Sequence, residues 1–408
     1  MLDALKIRDF RRLWIGRLIS TAGSWLLVVA LPAYVFHLTG SLLATGLTMV
    51  AEYLPALLLG PLVGVLTDRW DRRRVMLAAD VFRAVVVAGM LFATSAGSVW
   101  VIYLALVAES VGSVLFRPAA QAMTPAIVGT GSGLSSANSL NAVTDGTVRL
   151  IGPPAGAAVL SLAGFQALIW IDMASYLMSA VAVYRTTRQP RQRRQKDTRG
   201  RVLTDLVAGF RLLRAEPVGR ALLLLTTVFL FANASLSALL VPFGIKRLGG
   251  SEQVGIVVSG LGVGFLLGAA VIRGLIDRVQ PRYLLAATQL ATTVGFLLLF
   301  GSSSLAGALP AALIIGVFGS MTLVTPQTAL QRVIPNTALG RVSAIFFTAE
   351  ALANLTGAVA GPALAGATSF WTTAVASCVV SAVGALVGLA LLPVSFELLP
   401  ARGETAAK

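Results

Sequence analysis

Long apolar runs broken at short polar turns dominate this chain, and their length sets the class of structure. Cutting at charges and turn residues leaves about twelve apolar stretches of roughly 20 residues, the length a helix needs to cross a hydrocarbon layer about 30 Å thick. The predicted spans are 12–36, 43–66, 75–96, 98–120, 137–162, 164–185, 218–243, 253–275, 283–303, 306–330, 341–365 and 367–392. The turns between them are short, as at Ala96-Gly97-Ser98, and leave no room for a soluble catalytic domain. Residues 186–217 are the one long polar connection. Their first part, TTRQPRQRRQKDTRGR, has almost nothing to bury and reads as a solvated basic linker. Further on, Val202, Leu206, Val207, Phe210 and Leu213 recur at helical spacing, which predicts a short amphipathic helix on the inner membrane surface.

The pattern is doubled. Asp68-Arg69 with Arg73 and Asp277-Arg278 with Arg282 each close an apolar run, and the same offset superimposes Gly152-Pro153 on Gly361-Pro362. Two coincidences at one offset imply an internal repeat. The expected architecture is therefore an all-α integral membrane protein of twelve transmembrane helices in two pseudo-symmetric six-helix bundles. Residues 1–185 form the first, 186–217 the cytoplasmic linker, and 218–408 the second bundle with a cytoplasmic tail. Gly60 with Gly64, and Gly260 with Gly264 and Gly268, have the spacing that lets membrane helices approach closely.

Composition agrees: 56% of residues are hydrophobic and 12% charged, far from the balance of a soluble domain. The net charge of +15 would suit nucleic acid, but its distribution points elsewhere. Of the 32 Lys and Arg, Lys246 and Arg247 fall opposite the termini, Arg17, Arg83, Arg117, Arg149 and Arg273 lie within spans, and all others share the side of both termini. That asymmetry places both termini in the cytoplasm and excludes nucleic acid as the partner, while anionic lipid headgroups suit the basic face. Cys378 and His37 are the only residues of their kinds, so no disulfide, cysteine metal cluster or histidine metal site is expected. No glycine precedes a lysine, so the phosphate-binding loop of an ATP-driven pump is missing. No nucleophile, base and metal set appears, and neither an enzyme nor a cofactor is expected.

The most specific local signal is GVLTDRWDRRRV, Gly64 to Val75. Gly64 removes a side chain where a neighbouring helix must pack, and Asp68 supplies an anion one turn on for an Arg or a helix start. Arg69, Arg72, Arg73 and Arg74 hold this turn on the cytoplasmic side. The stretch resembles the signature between helices 2 and 3 of the major facilitator superfamily. That resemblance implies that Asp68, with Gly64, Arg69 and Arg73, latches the cytoplasmic ends against the eleventh helix near Arg341 when the cavity faces outward. Asp277 belongs to a weaker echo with fewer arginines. On helix 5, Asp145 to Gly156 resembles the glycine-proline signature of facilitator antiporters, with fewer glycines. There Gly152 and Gly156 permit close packing, and Pro153 and Pro154 free backbone carbonyls, so a bend is expected just beyond Arg149. Over nearly its whole length the chain is similar to the bacterial branch of macrolide efflux proteins and the enterobactin exporter, through FRRLWIGRLIS, LPALLLGPLVGVLTDRWDRRRVMLAADVFRA, FRPAAQAMTPAIV and RLIGPPAGA. It departs from that branch at Ser24, where an acid usually follows the glycine.

Charges at membrane depth are costly and are retained at cavities or beside partners. Glu52, Glu109, Asp145 and Glu350 each fall roughly 13 to 17 Å along their helices from the nearer end, close to the midplane. In a facilitator fold they would converge on the central cavity. Asp145 and Arg149, one turn apart, are placed to neutralise each other, whereas Glu52, Glu109 and Glu350 have no local partner. A carboxyl in a dry interior favours its neutral form, so these four acids are the proton-coupling candidates. Asp80 and Arg83 are expected to pair, and Asp172 to serve packing. Trp25, Tyr53, Phe116, Phe231 and Phe346 are candidates to line an apolar substrate cavity, although such aromatics are more often packing residues.

The resemblance implies a proton-coupled antiporter of the bacterial inner membrane that exports a small amphipathic drug or secondary metabolite by alternating access, and a monomer is expected. Two rivals remain at this point: a symporter or facilitator for a nutrient or lysolipid, and a membrane sensor or scaffold that transports nothing.

Overall fold

Helix boundaries follow the turn residues seen in the sequence. The computed structural model describes residues 2–67, 71–129, 132–187, 210–275 other than 212, 278–334 and 336–392. Helix α1 is Arg8–Thr39 and ends on Gly40, whose φ of 63° lets its N–H reach Phe36 O. Helix α2 is Leu42–Thr67, and α3, Arg72–Gly89, starts on Asp71, whose carboxylate accepts from the Arg74 N–H. Helix α4 is Val99–Val128. The helical run Ser132–Tyr184 is broken at Gly164, which has φ 81° and ψ 174°. Its limbs, 132–163 and 165–184, are α5 and α6. Only glycine takes that backbone without strain, so one residue divides two predicted spans.

Among the described residues there follow α7 Pro217–Phe243, α8 Ser251–Leu275, α9 Pro281–Gly301, α10 Leu305–Val333, α11 Asn336–Ala367 and α12 Phe370–Leu391. Proline opens α9 at a position where its missing N–H costs nothing, and Ser369 caps α12 by accepting from the Thr372 N–H. Among the described residues, 10 helical runs are long and apolar enough to cross a membrane, and one of them, Val143–Tyr184, contains both α6 and most of α5. Helix α11, rich in Ala and Gly and carrying Glu350, is not among the 10.

The chain divides into two compact units, Met1–Lys196 with Ala238–Ser259, and Asp197–Ser237 with Gly260–Lys408. The α7–α8 turn thus packs with the first unit, which a division at the linker does not anticipate. Within that unit α1 lies against both α5 and α6, and α4 against α2 and α3. Its largest core joins Leu31, Val35, Val87, Ile102, Leu168 and Tyr176. Within the second unit α9 lies against α10 and α12.

Glycines set the closest helix pairs. A Cβ on Gly156 would overlap the Leu26 carbonyl, and one on Gly152 would crowd Trp25, so α5 rides directly on the α1 backbone. In the second unit Gly361 and Gly357 meet the Ser235 and Phe231 carbonyls in the same way, bringing α11 onto α7. The repeat read from the sequence therefore recurs as a repeated helix contact. Gly264 and Gly268 likewise meet the α10 backbone at Leu313 and Val317. Of the predicted amphipathic helix, residues 202–209 lie outside the described residues. Leu213 is buried in a core with Leu222, Leu285 and Val342, while Phe210 is exposed.

Candidate functional site

Charged and polar side chains gather inside the first unit, and their partners come from neighbouring helices. Arg17 of α1 pairs with Asp145 of α5, Nη2 to Oδ2 at 2.7 Å. This corrects the expected Asp145–Arg149 pair: Arg149 instead lies with its guanidinium 5.2 Å from the Trp25 ring centre. The α1–α5 approach at Gly152 and Gly156 brings Arg17 within reach of Asp145. Trp14 Nε1 donates to Thr144 Oγ1 at 3.0 Å along the same seam.

A second network crosses α1, α3, α4 and α6. Asp80 and Arg83 form the expected one-turn ion pair on α3, and both are buried. Arg83 Nη1 donates to Ser113 Oγ at 3.2 Å, and its guanidinium lies between the rings of Tyr176 at 4.3 Å and Phe116 at 4.6 Å. Ser113 Oγ donates to Glu109 Oε1 at 2.8 Å, and Tyr176 OH donates to the same oxygen at 2.8 Å. Glu109 is therefore not partnerless: Ser113 stands one turn further along its own helix. Tyr176 OH also meets Ser24 Oγ at 2.9 Å. Asp172, expected to serve packing, is 1% exposed and accepts from Ser175 Oγ at 3.3 Å. Gly23 makes room for it, since a side chain there would overlap Ser175 and Asp172.

The remaining sequence candidates separate by position. Glu52 and Tyr53 are exposed on α2, and the Glu52 carbonyl accepts from Ser110 Oγ at 2.5 Å. Glu350 is half-buried on α11, where its carbonyl accepts from Asn354 Nδ2 at 2.9 Å. Phe116 and Phe346, 6% and 4% exposed, are spent on core packing rather than on a cavity wall. Trp25 is half-buried beneath Arg149. Phe231 borders an open groove of about 380 Å³ in the second unit, together with Thr227, Val228, Leu352, Thr356 and Val380. Pro153 is buried inside α5 beside Gly152.

Arg73 reaches the end of α6: Nε donates to Val183 O at 3.3 Å, Nη2 to Tyr184 O, and the guanidinium lies 5.1 Å from the Tyr184 ring centre. It closes the carbonyl end of α6, a favourable place for a cation. Gly64 lies in α2, and Asp68, Arg69 and Asp277 lie outside the described residues, as does the side chain of Arg341 in α11. The sequence missed Tyr176, whose signal was its spacing, one turn after Asp172, and it singled out Ser24 only as a departure from the related branch.

Long apolar helices in a doubled arrangement, with ionisable groups kept inside the first unit, define a multi-pass membrane transporter. The profile of the Major Facilitator Superfamily matches residues 13–358 and 223–407, and the chain belongs to that superfamily. It is a transporter and not an enzyme. It is 26% identical to macrolide efflux protein A of Streptococcus pyogenes over 281 residues, 68% of each chain. It is 29% identical to the enterobactin exporter EntS of Escherichia coli over 404 residues, 95% of this chain and 92% of that one. The crystal structure of the nucleoside transporter NupG shares its fold with a TM-score of 0.76 at 13% identity, covering 94% of this chain and 99% of that one.

Proposed function

We propose that this transporter exports a small amphipathic compound, a drug or secondary metabolite, across the bacterial inner membrane in exchange for protons. Export is supported by the relatives of efflux type, one named for macrolides and one for enterobactin. Proton coupling is supported chiefly by one observation: Glu109, a midplane acid, is held inside the first unit by Ser113 and Tyr176 rather than by a cation. An acid so placed can gain and lose a proton without breaking an ion pair. Glu52, Glu350 and Asp145 are the further carriers. Asp145 is the weakest of them, because Arg17 already neutralises it.

In this reading the bundles, residues 1–185 and 218–408, rock about a cavity, with residues 186–217 as tether and both termini in the cytoplasm. Asp68 with Arg69 and Gly64 forms the cytoplasmic latch against Arg341, and Asp277 its weaker counterpart. Arg149, Gly152, Pro153 and Gly156 shape the α5 bend. Trp25, Tyr53 and Phe231 supply apolar contact to the substrate. The protein works as a monomer surrounded by lipid.

The test is reconstitution of the whole chain into liposomes with an imposed pH gradient and a panel of labelled hydrophobic drugs. Flux of a drug against the proton gradient supports antiport. Flux in the direction of the protons would make it a symporter, and gradient-independent flux a facilitator. No flux of any compound in the panel would sink the exporter reading.

A further inference from the structure

In the first unit, three carboxyls share one guanidinium. Asp80, Arg83 and Asp172 are 0%, 5% and 1% exposed, and Glu109 is half-buried beside them. Arg83 commits Nη2 to Asp80 Oδ1 and Nη1 to Ser113. Ser113 and Tyr176 both donate to Glu109 Oε1, at 2.8 Å each. Asp172 is the least satisfied acid. Its Oδ1 has Ser175 Oγ at 3.3 Å, and its Oδ2 has no hydrogen-bond partner among the described residues.

Charge balance decides what this arrangement can hold. Arg83 offsets one carboxylate, and Asp80 claims it. Among the described residues, the cations of the surrounding helices are engaged elsewhere or exposed. On α1, which meets Asp172 through Gly23, the neighbour is Ser24, and Arg17 is taken by Asp145. Arg149 of α5 lies over Trp25. Arg117, two turns beyond Glu109 on α4, is exposed, and behind α4 stands Glu52 of α2, another acid. A buried carboxylate without a compensating charge takes up a proton in preference to staying ionised.

We propose that Asp172 and Glu109, flanking Tyr176, form a proton-binding site inside the first unit, with the bound proton resident on Asp172. Glu109, the half-exposed member, is the side from which the proton enters, and Tyr176 positions its carboxyl. The chemistry is a simple association: a proton from water adds to a carboxylate oxygen to give a neutral acid, and its release restores the carboxylate. The assignment of this site to coupling rests on the antiport reading, but the site itself does not.

Its test therefore uses no substrate. The whole chain, in a lipid film, is titrated from acid to alkaline pH while the carbonyl stretch of protonated carboxyls is followed by infrared difference spectroscopy. Wild type is expected to retain a protonated-carboxyl band at neutral pH that disappears on alkalisation. Asp172→Asn is expected to lose that band, while Glu252→Gln, at the exposed start of α8, keeps it. Tyr176→Phe, which removes the hydroxyl on Glu109 and preserves the ring over Arg83, is expected to move the midpoint by about one pH unit, tenfold in proton affinity. Should Asp172→Asn fail to insert, the Tyr176→Phe shift decides. A band absent from wild type, unchanged in both variants, or lost only in Glu109→Gln overturns the assignment. A titrating band in a protein that shows no gradient-driven drug flux would leave the site standing and remove the antiport reading alone.

Discussion

Arg17 Nη2 and Asp145 Oδ2 lie 2.7 Å apart across the α1–α5 seam, with side chains 32% and 43% exposed. Partly exposed ion pairs contribute about 0–1 kcal/mol, because water screens them and two long side chains must be ordered. A double-mutant cycle with Arg17→Ala and Asp145→Asn, read by thermal unfolding in detergent, is expected to give a coupling below about 1 kcal/mol. A larger coupling would mean that the pair, and not the glycine contact, holds these helices together.

The glycine contact should matter more. A methyl at Gly156 overlaps the Leu26 carbonyl, which is backbone and cannot step aside. Gly156→Ala is expected to destabilise the protein by about 1–3 kcal/mol, the range for overpacking. Gly89→Ala is its control: nothing lies within 4 Å of the added carbon, and alanine favours helix over glycine. If both variants unfold together with wild type, the close approach of α5 to α1 is wrong.

Cys378 offers a reporter for the second unit. It is 3% exposed on α12, where Sγ approaches Thr293 O at 3.5 Å. The same seam includes Gln289 Nε2 donating to Ser381 O at 2.8 Å, and Thr293 Oγ1 to Ser381 Oγ at 3.0 Å. A maleimide should therefore label the folded protein far more slowly than the unfolded one, and Ser381→Ala should speed labelling modestly, since single interhelical hydrogen bonds in membranes contribute about 0.6 kcal/mol. Equal labelling rates in folded and unfolded protein would contradict a buried α9–α12 seam.

How far the sequence could be read depended on the range of the interaction. Span lengths and the division between the spans 137–162 and 164–185 are set within a few residues, and the apolar pattern carries them. Asp80–Arg83 was legible for the same reason, as both lie on one turn. Partners brought together by helix packing were not: Asp145 chose Arg17 over the nearer Arg149, and Glu109 found Tyr176 on another helix. Phe116 and Phe346 show the limit for aromatics, since an apolar ring suits a core as well as a cavity wall, and both went to cores. The grouping of residues 238–259 with the first unit is likewise a packing outcome that no local pattern encodes.

Arg83 gives the sharpest expectation about stability. Its guanidinium is buried between Tyr176 and Phe116, and a Cβ on Gly112 would run into its side-chain stem, so α4 closes over it. Removing its carboxylate partner by Asp80→Asn leaves a buried cation with its nearest counter-charge gone, a change that costs about 3–5 kcal/mol in buried pairs. Replacing both members, Asp80→Leu with Arg83→Met, removes the charge as well as the pair and is expected to recover most of that loss. The two sets of variants separate two meanings of the network. If the double replacement restores thermal stability but abolishes gradient-driven transport, the pair is kept for function. If it restores both, Asp80 and Arg83 only hold α3 against α4 and α6. A single Asp80→Asn protein as stable as wild type would show that Arg83 is not buried between Tyr176 and Phe116.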